Sequence, residues 1–175
     1  SVNYLKDQIK KHFENGSQWQ IQIEYLEEKK AMGTVGALSL LKEKPKEPLL
    51  ILNADVLSRI DFNSLLNFHE EQNSAATICV REHQTKILYG VVKTNDFRVL
   101  SMDEKPIINN YINAGIYLLS PEIIHLIPKD CFFDMPQLLN KAIKYNHIVT
   151  AFPIHEYWLD IGHPKTLEKA SGEWR

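Results

Sequence analysis

Apolar residues recur with two different periods in the first half of the chain, and each period predicts a different kind of element. Leu5, Ile9 and Phe13 lie at helical spacing, whereas residues 21–25 alternate between apolar and polar side chains, which is typical of a half-buried strand. The elements predicted up to residue 80 are, in order, a helix over Leu5–Phe13, a strand over Ile21–Tyr25, a helix from Gly33 to Leu41, a strand over Leu49–Leu52, a helix over Phe62–Gln72 and a strand over Ala75–Val80. This alternation predicts a mostly parallel sheet that is covered by helices.

The second half of the chain has shorter apolar segments separated by turn residues. Two short strands, residues 89–94 and 99–103, flank Asn95-Asp96, which is typical of a β-hairpin turn. The elements predicted after this hairpin are a strand over Ile112–Leu119, a short helix from Pro121, a helix over Met135–Tyr145, strands over Val149–Pro153 and Trp158–Ile161, and a helix over Pro164–Ala170. The chain, residues 1–175, is therefore predicted to be one α/β domain with some antiparallel pairing in its second half.

Composition and charge narrow the class of protein. Of the 175 residues, 44% are hydrophobic and 24% are charged, which is typical of a folded domain and not of a disordered chain. The formal net charge of −2 lacks the basic excess of a nucleic-acid-binding domain, so we expect no nucleic-acid partner. No apolar run approaches the roughly 20 residues of a membrane span, so we expect no membrane partner. The sequence contains only two cysteines, which lie far apart and indicate a reducing, cytoplasmic location.

Two acidic residues follow predicted strands. Leu49–Leu52 is an uninterrupted apolar run, which predicts a central strand buried on both faces, and Asp55 comes soon after it. Asp160 likewise lies between an apolar strand and Gly162. Open α/β sheets bind their ligands at the carboxyl ends of the strands, and two carboxylates that meet there would suit Mg²⁺. Sequence spacing does not show whether they meet, and Asp55 could equally cap the turn before the next helix.

Three further segments have both a ligand-binding and a structural interpretation. Gly33–Gly36, at a predicted helix start, offers backbone N–H groups without a Cβ to hold a ligand away, but it lacks the Gly-Lys-Ser/Thr ending of a P-loop. Lys105, between Glu104 and Pro106, could pair with a phosphate or lie in an exposed, ion-paired turn. Residues 113–115 (Asn-Ala-Gly) either permit the close approach of a ligand or mark a bulge in their strand.

Six motifs occur in order along the chain. They are Gly33-Thr34-Val35-Gly36-Ala37-Leu38, Leu52-Asn53-Ala54-Asp55, Tyr89-Gly90-Val91-Val92, Asp103-Glu104-Lys105-Pro106, Asn113-Ala114-Gly115-Ile116-Tyr117 and Trp158-Leu159-Asp160-Ile161-Gly162. In this order they resemble the sugar-phosphate nucleotidyltransferases, especially the branch of mannose-1-phosphate guanylyltransferases and glucose-1-phosphate thymidylyltransferases. Residues 133–136 also resemble the stretch before a late helix in that family, so the resemblance covers nearly the whole chain.

The resemblance implies a Rossmann-like, three-layer α/β/α fold with a mixed, mostly parallel central sheet. It also implies a reaction in which a nucleoside triphosphate, of the GTP or dTTP type, and a sugar 1-phosphate give a nucleotide sugar and pyrophosphate, with Mg²⁺ as cofactor. The residues that it assigns are Asp55, Lys105 and Asp160 to catalysis, Asp55 and Asp160 to Mg²⁺, Gly33 and Asp55 to the nucleotide, and Gly90, Glu104, Lys105 and Asn113 to the sugar phosphate.

One part of the family pattern has no counterpart in this sequence. The family has an N-terminal Gly-rich loop with an arginine, followed by a Pro-Lys pair, which holds the triphosphate, and nothing before Gly33 resembles it. We therefore expect that the chain is truncated at its N-terminus, that the first strand and this loop lie before Ser1, and that the 175 residues alone are inactive. A strand edge would then be left open, which favours a homodimer or a domain swap.

Two other classes of function stay open at this point. A non-catalytic regulatory module could retain the sugar-nucleotide pocket without turnover, and it would be favoured if the intact protein also lacked the Gly-rich loop. A purely structural α/β domain would bind neither substrate. Other α/β families with an acidic residue after a strand, such as retaining glycosyltransferases, share the layout but not the Glu104–Pro106 and Trp158–Gly162 motifs.

Overall fold

A four-stranded sheet lies at the centre of the molecule, for which a computed structural model describes residues 1–173. The strands of this part of the chain are β1 (Leu49–Leu52), β2 (Val56–Ser58), β3 (Ala76–Lys86), β4 (Val91–Asn95), β5 (Arg98–Asp103), β6 (Ile107–Leu119), β7 (Val149–Pro153) and β8 (Trp158–Asp160). The central sheet has the order β1-β6-β3-β7, while β2 pairs with β8 and β4 pairs with β5.

The α-helices over the same residues are α1 (Lys6–Phe13), α2 (Phe62–Glu71), α3 (Pro121–Ile124), α4 (Met135–Lys144) and α5 (Pro164–Glu173). Local sequence explains where two of them begin. The carboxylate of Asp61 accepts the N–H of Asn63 at 3.0 Å and caps α2, and Pro121 takes the first position of α3, where its missing N–H costs no hydrogen bond. Among residues 1–173, no helix combines the length and the apolar character that a membrane crossing requires.

Two hydrophobic clusters cover opposite faces of the sheet, because alternate residues of β6 point to opposite sides. Tyr117 and Leu119 pack with residues of α3 and α4 on one face. Ile116 and Leu118 pack with Leu65 of α2 on the other face, where β2 and β8 also lie. The molecule therefore has helices on both faces of its sheet, as the predicted three-layer α/β/α fold requires.

Strand direction confirms the prediction of a mixed sheet. β3 and β7 are parallel neighbours, whereas β6 runs antiparallel to both β1 and β3. Three of the four strands therefore share one direction. Two of the three pairings are nevertheless antiparallel, because the reversed strand β6 lies between β1 and β3.

β1 differs from the expectation of a central strand buried on both faces. It is an edge strand that pairs only with β6 among the described residues, and its side chains alternate between half-buried and exposed. Leu50 and Leu52 are 38% and 49% exposed. The prediction of burial on both faces was wrong, because an apolar run does not reveal whether another element covers the second face, and no element of residues 1–173 does so here. Within these residues the outer edge of β1 has no partner strand, which is the open strand edge expected from the sequence.

The helix predicted from Gly33 to Leu41 is instead a 3₁₀ helix over Gly36–Leu40, preceded by a turn. The N–H groups of Val35 and Gly36 both donate to the carbonyl of Phe133, at 3.2 and 3.0 Å. The prediction was wrong because hydrogen bonds to this distant segment replace the local bonds that an α-helix would need.

Residues 21–25, predicted as a strand, form no sheet ladder. Val2 makes one parallel bridge with Glu27, through hydrogen bonds from Val2 N to Leu26 O and from Glu28 N to Val2 O, both of 2.9 Å. The alternating pattern was misleading because a ladder needs a partner strand, and the pairing extends no further than this bridge.

The second half of the chain follows the prediction more closely. β4 and β5 form the expected hairpin, in which Asp96 adopts a left-handed φ of +50°. β6 contains a bulge, since it pairs Tyr117 with Ile78 but Asn113 with Val80. The bulge interpretation of residues 113–115 is therefore the one that the structure shows.

Candidate functional site

The two acidic residues that follow strands lie side by side. β2 and β8 form an antiparallel pair that aligns Val56 with Asp160, and the N–H of Ile161 donates to the carbonyl of Asp55 at 2.8 Å. A Cβ placed on Gly162 would lie 3.0 Å from Asp160 Oδ1 and 3.1 Å from Asp55 Oδ2. The N–H of Gly162 also donates to Asp160 Oδ1 at 2.8 Å. Because Gly162 has no side chain, both carboxylates face the same small space.

The bulge in β6 holds this pair of short strands in place. The indole N–H of Trp158 donates to the carbonyl of Ala114 at 2.8 Å, and the N–H of Asn53 donates to the carbonyl of Gly115 at 2.8 Å. Gly115 has a φ of +72°, and a Cβ there would lie 2.8 Å from Asn53 Nδ2. Only glycine suits both the backbone conformation and the space. The bulge thus fixes the chain that leads from β1 to Asp55.

Asn113, which the resemblance assigns to the sugar, is engaged within the protein. Its Nδ2 donates to the hydroxyl of Tyr117 at 2.6 Å, and its Oδ1 accepts the N–H of Gly115 at 2.9 Å. An amide side chain carries two N–H donors and two oxygen lone pairs, so each end retains the capacity for another partner. The structure shows that Asn113 stabilises the bulge, and its contact with a sugar stays a prediction.

Gly90, Glu104 and Lys105 lie together at the base of the β4–β5 hairpin. A Cβ on Gly90 would lie 3.1 Å from Glu104 Oε2, and Lys105 Nζ lies 3.7 Å from Glu104 Oε1. The side chains of Lys105 and Glu104 are 57% and 74% exposed, so their ion pair contributes little to stability. Lys105 also has a φ of +47°, a left-handed backbone that costs a residue with a Cβ roughly 1–2 kcal/mol.

The residues predicted to bind the sugar phosphate form two separate groups. At the base of the hairpin, the N–H of Ile87 donates to the carbonyl of Pro106 at 3.0 Å. From there β6 stays paired with β3 as far as Asn113. Seven residues of extended chain cover about 23 Å along a strand. Lys105 is therefore a long stretch of β6 away from Asn113 and from the bulge beside the carboxylates.

Gly33, which the resemblance assigns to the nucleotide, packs closely against protein. It has a φ of +74°, and a Cβ there would lie 2.7 Å from both Asp134 Oδ1 and the carbonyl oxygen of Phe133. Val35 belongs to the cluster on one face of the sheet, whereas Trp158 packs on the other face. Gly33 and the two carboxylates are therefore held by different elements: Gly33 by the segment before α4, and the carboxylates by β2 and β8.

The cysteines and the other potential metal ligands add little to the candidate site. Burial raises the pKa of the Cys79 thiol to about 12, so this thiol stays neutral, while Cys131 is exposed. Within residues 1–173, no three His, Cys, Asp or Glu side chains are arranged to hold a metal ion. A metal ion bound by Asp55 and Asp160 would thus complete its coordination with substrate oxygens or water.

The family model described as nucleotidyl transferase matches residues 1–174 of this chain. The matched residues include the whole central sheet and the two carboxylates that converge beside Gly162. The chain belongs to the nucleotidyl transferase family.

Named relatives are mannose-1-phosphate guanyltransferases. The chain is 32% identical over 183 residues to the mannose-1-phosphate guanyltransferase of Yarrowia lipolytica, in a match that covers 94% of this chain and 47% of the relative. It is 32% identical over 179 residues to the probable mannose-1-phosphate guanylyltransferase 3 of Arabidopsis thaliana, with 94% and 50% covered. The chain thus spans about half the length of the curated relatives that it matches.

Solved structures with the same fold include HddC from Yersinia pseudotuberculosis in complex with GMP-PN. It superposes with a TM-score of 0.71 at 24% identity, over 100% of this chain and 77% of HddC. A putative glucose-1-phosphate thymidylyltransferase from Bacillus anthracis, in complex with a sucrose, gives a TM-score of 0.69 at 18% identity, over 95% and 71% of the two chains. These likenesses confirm the Rossmann-like α/β fold that the resemblance implied.

Sequence reasoning did not identify two of the contacts that shape the site. Trp158 was noted only as part of a motif, although its indole N–H links β8 to the bulge. Asp134 was noted only as part of a stretch before a helix, although it accepts hydrogen bonds from Thr34. An acidic residue followed by Met135 and Pro136 does signal a helix N-terminus, but no local signal indicates a partner 100 residues away.

Proposed function

We propose that the whole protein transfers a guanylyl group from GTP to a sugar 1-phosphate and releases pyrophosphate. The observation that carries this proposal is that Asp55 and Asp160 face one space beside Gly162 in a member of the nucleotidyl transferase family. The choice of GTP rests on relatives named mannose-1-phosphate guanyltransferases and on the GMP-PN complex of HddC. Mannose 1-phosphate is accordingly the first sugar phosphate to test.

Mg²⁺ is the proposed cofactor, held by Asp55 and Asp160. Carboxylate oxygens are the protein ligands that Mg²⁺ prefers, and proteins usually bind it through one or two carboxylates together with substrate phosphates and water. Two carboxylates that converge where Gly162 leaves room match this donor set. When bound, the ion would neutralise charge on the triphosphate and on the departing pyrophosphate.

The proposed reaction needs positioning and charge stabilisation rather than a protein nucleophile. An oxygen of the sugar phosphate forms a bond to the α-phosphorus of the triphosphate, while the bond from that phosphorus to pyrophosphate breaks. Lys105 supplies a compact positive charge for the sugar phosphate, and Gly90 and Glu104 beside it contact the sugar. Asn113, the other residue assigned to the sugar, lies apart from this group. The backbone of Gly33 lies beside the nucleotide. Holding both substrates in line lowers the barrier, because orientation is fixed before the reaction.

Pyrophosphate release tests the proposal directly. The whole protein is incubated with Mg²⁺ and each combination of GTP, dTTP or ATP with mannose 1-phosphate or glucose 1-phosphate, and a chelator serves as the metal control. We expect release with GTP and a sugar 1-phosphate, and loss of release with the chelator. No turnover with any pair would contradict the proposal.

A non-catalytic sugar-nucleotide-binding module is the alternative that this assay separates. It would be favoured if the whole protein also lacked the Gly-rich triphosphate loop, which nothing before Gly33 resembles. Binding of a nucleotide sugar by calorimetry, without pyrophosphate release by the whole protein, would support this alternative. A cytoplasmic location and a homodimer are also proposed, and light scattering of the purified protein tests the dimer.

A further inference from the structure

Thr34 and Asp134 form a reciprocal contact between two segments that lie 100 residues apart in the sequence. The backbone N–H and the hydroxyl of Thr34 both donate to Asp134 Oδ1, at 2.9 and 3.3 Å. In return, the N–H of Met135 donates to the hydroxyl oxygen of Thr34 at 2.8 Å. We call these three hydrogen bonds the Thr34–Asp134 clamp.

Backbone hydrogen bonds extend the contact on both sides of the clamp. The carbonyl of Phe133 accepts the N–H groups of Val35 and Gly36, and the N–H of Phe133 donates to the carbonyl of Met32 at 3.0 Å. The segment from Met32 to Gly36 is therefore bonded to the residues before α4 along its whole length. Because backbone groups make these bonds, they fix the path of the loop rather than the position of one side chain.

The two glycines of the loop have little free space on the side facing the clamp. A Cβ on Gly33 would lie 2.7 Å from Asp134 Oδ1, and a Cβ on Gly36 would lie 2.7 Å from the carbonyl oxygen of Cys131. Both distances are too short for a real contact. Glycine at these positions lets the loop approach the segment before α4, so the loop conformation depends on that segment.

The segment that carries Asp134 is itself firmly held. The N–H of Asp134 donates to the side-chain oxygen of Gln137 at 2.8 Å, which is half of a capping box at the start of α4. Met135 and Leu138 are fully buried in the cluster on this face of the sheet. The start of α4 is therefore a rigid support for the loop.

We propose that Asp134 is a positioning residue for the nucleotide, acting through Thr34 on the backbone of Gly33–Gly36. The inference rests on the proposed function, in which Gly33 lies beside the nucleotide. Asp134 does not need to touch the nucleotide for this effect. Removing its carboxylate frees the N–H and the hydroxyl of Thr34 together, so Thr34 loses its anchor while the backbone bonds to Phe133 remain, and the hairpin that holds Lys105 is unaffected.

The test compares four variants of the whole protein by steady-state kinetics with GTP and a sugar 1-phosphate. Asp134→Ala removes the two hydrogen bonds of the clamp that the carboxylate accepts, and we expect it to raise KM for GTP about tenfold, which corresponds to about 1.4 kcal/mol. Thr34→Val removes only the hydroxyl, and the expected increase is about threefold. Asp134→Asn keeps an oxygen acceptor and should restore most of the affinity. KM for the sugar 1-phosphate should stay within about twofold in all variants.

Gln137→Ala is the matched structural control, because it removes half of the capping box without touching Thr34. Hydrogen exchange of the amides of residues 34–36 gives a readout that needs no substrate. Exchange should become faster in Asp134→Ala and stay unchanged in Gln137→Ala, even if both lower the melting temperature. Equal KM for GTP in Asp134→Ala and the parent protein would overturn this inference alone. A parent protein that binds no nucleoside triphosphate would overturn the proposed function as well.

Discussion

The backbone of Asp55 and Asp160 is fixed by the pairing of β2 with β8, by a backbone hydrogen bond and by the bulge in β6. Glu104 and Lys105, in contrast, lie at the base of a hairpin that is exposed along nearly its whole length. We call the first group, with Gly162, the carboxylate region, and the second, with Gly90, the hairpin region. β4 and β5 pair only with each other within residues 1–173. A two-stranded sheet of this kind is marginally stable by itself.

The difference indicates separate roles for the two regions. Charged groups that are held in place before substrate binds stabilise a reaction without reorganising, and in the carboxylate region the backbone of Asp55 and one carboxylate oxygen of Asp160 are held by hydrogen bonds. The hairpin region gains defined geometry only when a ligand contacts it, so part of the binding free energy is spent on ordering it. A long stretch of β6, paired with β3, separates the two regions, so they belong to different parts of the fold. We therefore expect substitutions to affect kcat in the first region and KM in the second.

The largest expected effect is the loss of a carboxylate. Asp55→Asn or Asp160→Asn in the whole protein should lower kcat about 100- to 1,000-fold, because each removes negative charge from the proposed Mg²⁺ site and leaves the fold intact. Steady-state pyrophosphate release measures this change. Higher Mg²⁺ concentrations should recover part of the activity if metal binding is what the substitution weakens.

Asp96→Asn is the control for these two variants. Asp96 lies in the hairpin turn with a φ of +50°, a conformation that asparagine adopts readily. The same charge is removed far from the carboxylate region, so kcat should not change. A similar loss of kcat in all three variants would mean that overall charge, rather than the pair of carboxylates, controls activity.

The second effect compares two glycines, one from each region. Gly115→Ala forces a methyl group to within 2.8 Å of Asn53 at a φ of +72°, and we expect the free energy of unfolding to fall by about 2 kcal/mol or more. Gly90→Ala meets only the end of the exposed Glu104 side chain, at 3.1 Å, and should cost less than about 0.5 kcal/mol. Urea denaturation measures both. Equal losses of unfolding free energy in the two variants would show that the carboxylate region is no more tightly constrained than the hairpin region.

The third effect concerns the positive charge of the hairpin region. Lys105→Ala should raise KM for the sugar 1-phosphate about tenfold, because hydrogen bonds to charged groups contribute about 1.5–3 kcal/mol, and should leave KM for GTP unchanged. Lys93→Ala is the matched control, since Lys93 is an exposed lysine on the same hairpin, 3.1 Å from Asp103. If both KM values rise together in Lys105→Ala, the lysine has a structural role instead.

The sequence predicted those features that depend on local pattern. Asp55 and Asp160 each follow an apolar strand, so their position at strand ends was accessible from their neighbours. Their juxtaposition was not, because it depends on the pairing of β2 with β8, two three-residue strands about 100 positions apart. Most of the helices were found in the same way, since their caps and spacing are local.

The features that the sequence missed depend on distant partners. Residues 81–86 are mostly polar and carry no strand pattern, yet they extend β3 because β6 offers a matching backbone ladder. Gly33–Gly36 was interpreted as open to a ligand, whereas Asp134, Phe133 and Cys131 fill the space that side chains there would need. The exposed face of β1 was also missed for this reason, because elements distant in the sequence decide whether a strand is covered.

A buried histidine near the end of α2 supplies the smallest expected effect. His69 Nε2 lies 2.9 Å from the hydroxyl oxygen of Ser120, and that hydroxyl donates its hydrogen to the carbonyl of Ser74. Nε2 is therefore the protonated nitrogen, and Nδ1 accepts from the hydroxyl of Thr77 at 2.8 Å. Burial lowers the pKa of His69 below its ordinary value, although the charges of Glu70 and Glu122 oppose this shift.

The sign of the resulting pH dependence follows from linkage. Because the pKa of His69 is lower in the folded protein than in the unfolded chain, the unfolded chain binds a proton first as the pH falls through about 6.5. Stability should therefore be complete above that pH and decrease below it, by at most about 1.4 kcal/mol per pH unit, until His69 is protonated in the folded protein as well. Urea denaturation of the parent and of His69→Gln between pH 7.5 and 5 measures the difference. The variant should be less stable at pH 7.5 and should lose less stability on acidification. If the free energy of unfolding changes equally with pH in both proteins, groups other than His69 cause the pH dependence.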